Sequence, residues 1–319
     1  MLGARMSISP RTNPGHGSKP PRYPGTFLLA FREALAKLKW EIRRWLGDAV
    51  ECVDTEGHQQ VVGLENLYRR ARQAQRGVWP DLIVDFLQQA AAPEQPQELP
   101  TDLTSVADQL LVRLGPPFTR KVGEGALWSQ PVAGTDFVIN LVIDYPNRMI
   151  YVTDQLVADS SKPGKDWFER ALVNLRARTP AGSLQTIDAD TGMMTCAVAD
   201  AYDSSRALLL DVLVPTPAPD GFFVGLPSRD QLLVLPVTAP ALSFIHILKV
   251  LVDKSFKNLP YPITNQVFWV RGGVWCRFPI DIKGNRVTIA PPDEFNEVLE
   301  RLGPPPEADD GDDGGEPAE

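Results

Sequence analysis

Between residues 27 and 46 the chain reads FLLAFREALAKLKWEIRRWL, and Leu28, Phe31, Leu35, Leu38, Ile42 and Trp45 recur at alternating steps of 3 and 4. That period puts one apolar stripe on a helix and predicts a single helix over 27–46. Arg32, Lys37, Lys39, Arg43 and Arg44 fall largely off the stripe. An N-terminal helix packed on its own domain, with solvated bases, is the favoured reading. Peripheral docking of the 27–46 helix on a membrane surface or a partner is the other.

Beyond this helix the period changes to that of strands. AVECVDTEG and HQQVVGL read as a hairpin, LENLYRRARQAQ as a helix and WPDLIVDFLQQAAA as another, with Pro80 suited to a first turn. APEQPQELP, residues 92–100, reads as a linker or long loop. LTSVADQLLVRL fits helix and strand equally. ALWSQPV, DFVINLVIDYP and RMIYVTDQL read as strands, with Pro146-Asn147 as a turn. KDWFERALVNLRAR reads as a helix, GSLQTIDADTGMMTCAVAD as a hairpin, and DSSRALLLDVLV as a helix with Asp203 or Ser204 as its N-cap. Residues 221–237 form another hairpin, followed by PALSFIHILKVLVDKSFK, apolar on most sides and therefore a buried helix. A last pair of strand-like runs turns at Arg271-Gly272-Gly273 before the helix DEFNEVLERLG. Repeated β-hairpin–helix units predict an α+β fold, mainly antiparallel sheet with helices packed on one face. The expected organisation is a disordered tail over 1–26, a helical and hairpin region over 27–91, the linker 92–100, a main α+β domain over 101–302 and a disordered acidic tail over 303–319.

Charge separates these regions. Residues 1–26 hold four bases and no acid, whereas residues 303–319 hold seven acids and no base, within a net charge of −8. Subtracting both tails and the net +3 of residues 27–46 leaves about −8 on residues 47–302, so the body is acidic. An acidic body repels a phosphate backbone, and the basic stretch lacks stacking aromatics, so nucleic-acid binding is disfavoured. No apolar run is long enough for a transmembrane segment, and residues 1–26 lack the apolar core of a secretory signal. Cys52, Cys196 and Cys276 are far apart, and with His16, His58 and His246 they show no metal-ligand spacing. Free thiols in apolar runs fit a cytoplasmic setting. With no P-loop and no G-x-G-x-x-G, no cofactor is expected.

Candidate chemistry is sparse. Ser228-Arg229-Asp230 lies between two apolar runs. Turn geometry is the simpler role for it, while Arg229 with Asp230 could instead hold a carboxylate or phosphate ligand. A Ser228–His246 catalytic pairing is weak, because the G-x-S-x-G elbow is missing and His246 sits among apolar neighbours as a core histidine. Asn66 and Asn174 occupy amphipathic helices, where an amide can tie a helix to a strand backbone or contact a ligand. Asp203 and Arg206 straddle a helix start; capping accounts for Asp203, and Arg206 could face Asp230.

VVGLENLYRRAR, DFVINLVIDYPNRMIYVT, ALVNLRART and GLPSRDQLLV occur in that order between about residues 48 and 257. Together they resemble the corresponding segments of the YtpQ-like bacterial proteins, a family defined by a domain of unknown function. The resemblance implies a bacterial, cytoplasmic protein with no assigned activity, cofactor or partner. The expectation is therefore a non-enzymatic protein that binds a partner or small ligand, with Arg229, Asp230, Asn66, Asn174, Asp203 and Arg206 as candidate contacts. A hydrolase or transferase of unfamiliar type, built on an Arg/Asp-centred pocket, is the alternative.

Overall fold

The computed structural model describes residues 23–46, 49–91, 100–117, 126–145, 148–214, 218–284 and 286–303. The expected tails up to Arg22 and beyond Gly303, the 92–99 part of the linker and the Pro146-Asn147 turn lie outside the described residues. The chain divides into two compact units, Met1–Pro96 and Gln97–Glu319.

In the first unit α1 (Gly25–Leu38) precedes a three-stranded antiparallel sheet of β1 (Glu41–Trp45), β2 (Ala49–Val53) and β3 (Gln59–Gly63), then α2 (Leu64–Ala71) and α3 (Trp79–Ala91). The single helix expected over 27–46 is corrected here: it stops at Leu38. Lys39 takes a left-handed conformation, φ 57°, and the Lys39 and Trp40 N–H groups donate to the carbonyls of Ala36 and Leu35. This paired closure satisfies the last helical carbonyls and turns the chain. Glu41–Trp45 then runs as a strand. Ile42 pairs with Cys52 and Arg44 with Glu51, so Arg43 is an extra residue in a bulge. The bulge restores Ile42 and Trp45 to one face despite their three-residue separation, and that is why they mimic a helical period. α1 buries Phe27, Ala30, Phe31, Ala34 and Leu35 in a core shared with Val50, Leu67, Ile83 and Leu87. Several bases of this stretch have acid partners: Lys37 with Asp81 at 2.8 Å, and Arg44 with Glu51 at 3.0 Å.

The second unit begins with a 3-10 turn, Leu103–Gln109, and continues through β4 (Leu110–Gly115), β5 (Ser129–Pro131), β6 (Val138–Tyr145), β7 (Arg148–Tyr151), α4 (Asp154–Asp159) and α5 (Gly164–Arg178). RMIYVTDQL is thus a strand only as far as Tyr151; the Thr153 hydroxyl accepts the Leu156 N–H and caps α4. Next come β8 (Leu184–Asp188), β9 (Met193–Cys196), a second 3-10 turn, Ser204–Leu209, and α6 (Leu210–Leu213). The remainder is β10 (Phe222–Ser228), β11 (Gln231–Pro236), α7 (Ala239–Asn258), β12 (Val267–Arg271), β13 (Val274–Arg277), β14 (Ile280–Lys283), β15 (Arg286–Ile289) and α8 (Asn296–Leu302).

Every strand pairing among the described residues is antiparallel, and the fold is α+β. Six strands form the main sheet in the order β13-β12-β10-β11-β9-β8, and β6 is the hub of a smaller sheet with β4, β5 and β7. Alternation along β10 and β11 divides the core. Phe223, Leu233 and Leu235 pack with Ala241, Ile245, Leu248 and Val252 of α7. Phe222, Val224, Leu226, Leu232 and Val234 join the small sheet and Trp167, Ala171 and Leu175 of α5. One face of the main sheet thus packs on α7, and the other joins the core of the small sheet and α5; both faces are apolar.

α7 is not buried all round. One stripe is sealed, while Phe244, Ile247 and Val250 remain 38–47% exposed and His246 is half-buried rather than a core residue. Gly225 lets α7 approach, since a Cβ there would run into the Val252 side chain. Gly225→Ala is expected to cost about 1–3 kcal/mol by overpacking. The cost should shrink in a Val252→Ala background, as urea unfolding midpoints of the four proteins would show.

Candidate functional site

The segment Ala197–Arg206 folds back on itself before it becomes helical. Ala199 and Ala201 are both left-handed, φ 64° and 73°, a conformation that costs a non-glycine residue about 1–3 kcal/mol. Asp203 was expected to cap the following helix; its side chain makes no cap bond. The carboxylate is fully buried and accepts the N–H groups of Val198 at 2.9 Å and Ala199 at 2.7 Å, and the Cys196 thiol at 3.2 Å. It thereby holds the strained loop closed. Burial, reinforced by Asp203, pushes the Cys196 thiol up to about 12.

Arg206 is also fully buried. Its Nη1 donates to Asp200 and Asp203 at 2.9 Å each, Nη2 to Asp200 at 2.6 Å, and Nε to the Thr179 hydroxyl at 3.2 Å. Arg206 thus faces Asp200 and Asp203, not Asp230 as the sequence allowed. Burial acts to raise the Asp200 pKa, but the Arg206 guanidinium outweighs it and holds the carboxyl below its ordinary 3.8.

The Ser228-Arg229-Asp230 triplet closes the β10–β11 hairpin. Arg229 donates bidentately to its neighbour Asp230, at 2.8 and 3.0 Å, and its guanidinium stacks 3.6 Å from the centroid of the Tyr261 ring. Tyr261 is itself left-handed, φ 54°. Ser228 Oγ donates to the Pro260 carbonyl at 2.6 Å, and the Arg229 N–H donates to the Tyr261 carbonyl at 3.0 Å. A single backbone bond, Ser204 N–H to the Arg229 carbonyl at 3.2 Å, ties this hairpin to the Asp203–Arg206 segment.

The structure therefore brings Asp203, Arg206, Arg229 and Asp230 into one corner. Asn174 stands elsewhere, its amide donating to the carbonyls of Ala107 at 2.8 Å and Leu110 at 2.9 Å, which fastens α5 to the start of β4. Asn66 belongs to α2 of the first unit, where it is half-buried.

Reasoning from sequence missed half of the corner. Arg178 pairs with Asp144 and lies 5.2 Å from the Tyr202 ring centroid. Tyr202 is 1% exposed, and its hydroxyl faces the Asp144 carboxylate. Burial first, and then Asp144, raise its pKa well above the ordinary tyrosine value. Arg113 interrupts the apolar run of β4, with Nη1 2.7 Å from the Met149 sulfur and its guanidinium 5.6 Å from the Tyr151 ring centroid. An arginine inside LLVRL and an aspartate inside NLVIDY were the available signals.

A shallow cavity of about 350 Å³ opens beside the small sheet. Ile143, Ile150, Tyr151 and Leu156 line it, with Gln155 and Asp159 also in its wall; none of the candidates read from sequence does. Among the described residues no cluster of His, Cys, Asp or Glu is arranged to hold a metal ion, and no helix is long and apolar enough to cross a membrane. No family model, curated protein or solved structure matches the chain.

Arg206→Met leaves Asp203 buried without its cation, so the expected loss is about 3–5 kcal/mol. Asp200→Asn should cost less, because Asp200 is 22% exposed. Its lowered pKa means that the Asp200 contribution is fully present above pH 3.8 and fades as pH falls through the folded-state value. The stability difference between wild type and Asp200→Asn should shrink as acid is added below that point, measured by denaturant unfolding at a series of pH values.

Proposed function

We propose that this is a non-enzymatic binding protein of the YtpQ-like kind, working in the cytoplasm and taking a small ligand or a protein partner at the Arg/Asp corner of its second unit. The observation that carries the reading is the commitment of the acids in that corner. Asp203 is fully buried and spent on two N–H groups and Arg206, Asp200 is forked by Arg206, and Asp230 is forked by Arg229. A general base needs a lone pair within reach of a substrate proton and a pKa near the working pH. Carboxylates gripped by guanidinium groups are poor bases, but they are good at holding a binding surface in one shape.

Left-handed Ala199, Ala201 and Tyr261 support the same reading. Strained backbone survives where the surroundings over-determine it, and such positions gather at ligand clamps as well as at catalytic centres. Free thiols at Cys52 and Cys196, both buried, support a reducing compartment. A hydrolase or transferase would have to recruit Asp230, which is 21% exposed, after releasing it from Arg229.

A thermal-shift screen of metabolites and nucleotides against wild type and Arg229→Ala tests the proposal. The expected result is at least one compound that stabilises the wild type and stabilises Arg229→Ala less. Incubation with the same compounds, followed by mass spectrometry, should return them unchanged. Turnover by the wild type that is lost in Asp230→Asn would overturn the binding reading in favour of catalysis.

A further inference from the structure

Four buried side-chain oxygens have no hydrogen-bond partner among the described residues: Asn140 Oδ1, Tyr202 OH, Ser204 Oγ and Gln231 Oε1. Buried polar atoms are nearly always paired, so each exception asks for a reason. Hydrogen bonds, strand register and electrostatic contact place all four around one corner. Asn140 lies opposite Arg113 across the β4–β6 pair. The N–H of Leu114, next to Arg113, donates to Ser205 Oγ at 3.0 Å. Ser204 is bonded through its N–H to Arg229, and Gln231 is paired with Ser228.

Arg113 is the odd cation in this corner. Asp144 belongs to Arg178, Asp200 and Asp203 to Arg206, and Asp230 to Arg229. No carboxylate pairs with Arg113 among the described residues, and its one hydrogen-bond acceptor is the thioether of Met149. Sulfur is a weak acceptor for a permanent charge, and a guanidinium drawn out of water is costly unless an anion answers it. The flat face of Tyr151 fixes the fork without satisfying its in-plane donors.

We propose that Arg113 anchors a site for the oxyanion headgroup of a small metabolite, with Arg229 as a neighbouring positive charge. The proposal rests on the binding reading above and names the chemistry of its ligand. A carboxylate or phosphate would accept two parallel N–H groups from Arg113, the geometry at which arginine excels. The lowered pKa of Arg113 agrees: burial is the main cause and the charge of Arg229 adds to it, outweighing the opposite influence of Tyr151, Tyr202 and Asp230. An incoming anion would relieve both.

The test uses the full chain and compares wild type, Arg113→Met and Arg113→Lys in inorganic phosphate, succinate and acetate, each matched in ionic strength with sodium chloride. The wild type should show a saturable rise in unfolding midpoint, on the order of 5 °C at a hundredfold excess over Kd. Arg113→Met should lose that rise, and Arg113→Lys, which keeps the charge without the fork, should bind at least tenfold more weakly. Whether phosphate or a carboxylate gives the tighter response identifies the headgroup. A wild type that responds to none of the three anions beyond chloride overturns the proposal, as does an equal response in Arg113→Met. Should Arg113→Met fail to fold, an undiminished response in Arg113→Lys overturns it instead. A neutral compound from the metabolite screen that binds wild type and Arg113→Met alike removes the oxyanion assignment but leaves the binding reading intact.

Discussion

Arg206 is the constraint on which the corner of the second unit depends. A guanidinium with no exposed surface is tolerated only if its donors are answered, and here two carboxylates and a hydroxyl answer them. The requirement runs outward from there. Asp203 must sit inside the loop, so the loop must reverse within a few residues, so Ala199 and Ala201 must accept a conformation that alanine resists. The same segment then presents Ser204 to the β10–β11 turn and Ser205 to β4, joining the main sheet to the small one. A charge buried in this way adds little net stability compared with an apolar replacement of the whole group, but removing one partner leaves the other charge buried and unanswered.

How much of this could be read in advance follows from the range of each interaction. Hairpins were legible because their turns carry local markers: Gly192 and Gly273 are left-handed where the sequence places turns, and the flanking residues alternate. The class of the fold came from the same local signals. β1 was not legible, because the bulge at Arg43 converts a two-residue period into steps of 3 that belong equally to a helix. The α4 helix was absorbed into a strand, since six residues are too few to display a period. LTSVADQLLVRL resisted assignment for a physical reason: it is a 3-10 turn followed by a strand.

The site was partly legible. Arg229 and Asp230 could be singled out, since a polar triplet between apolar runs is conspicuous, and Asp203 with Arg206 stood out beside them. Their partners could not. Nothing in an alanine codon signals a left-handed backbone, so the reversal that brings Asp200 to Arg206 was hidden. Arg113, Asp144 and Arg178 come from three separate elements, and their meeting with Tyr202 is a product of tertiary packing. Asn174 illustrates the opposite case, in which a polar residue on a helix serves the backbone of its neighbours.

The order of strands in the main sheet bears on how the molecule is made. The central ribbon of β10 and β11 is flanked on one side by strands that precede it in the chain and on the other by strands that follow α7. During vectorial synthesis β9 and β8 are available to β11 at once, whereas β10 waits with an open row of N–H and C=O groups until β12 leaves the ribosome. An uncovered edge beside Phe222 and Val224 is a template for pairing with another nascent chain. The twenty residues of α7 lengthen that interval.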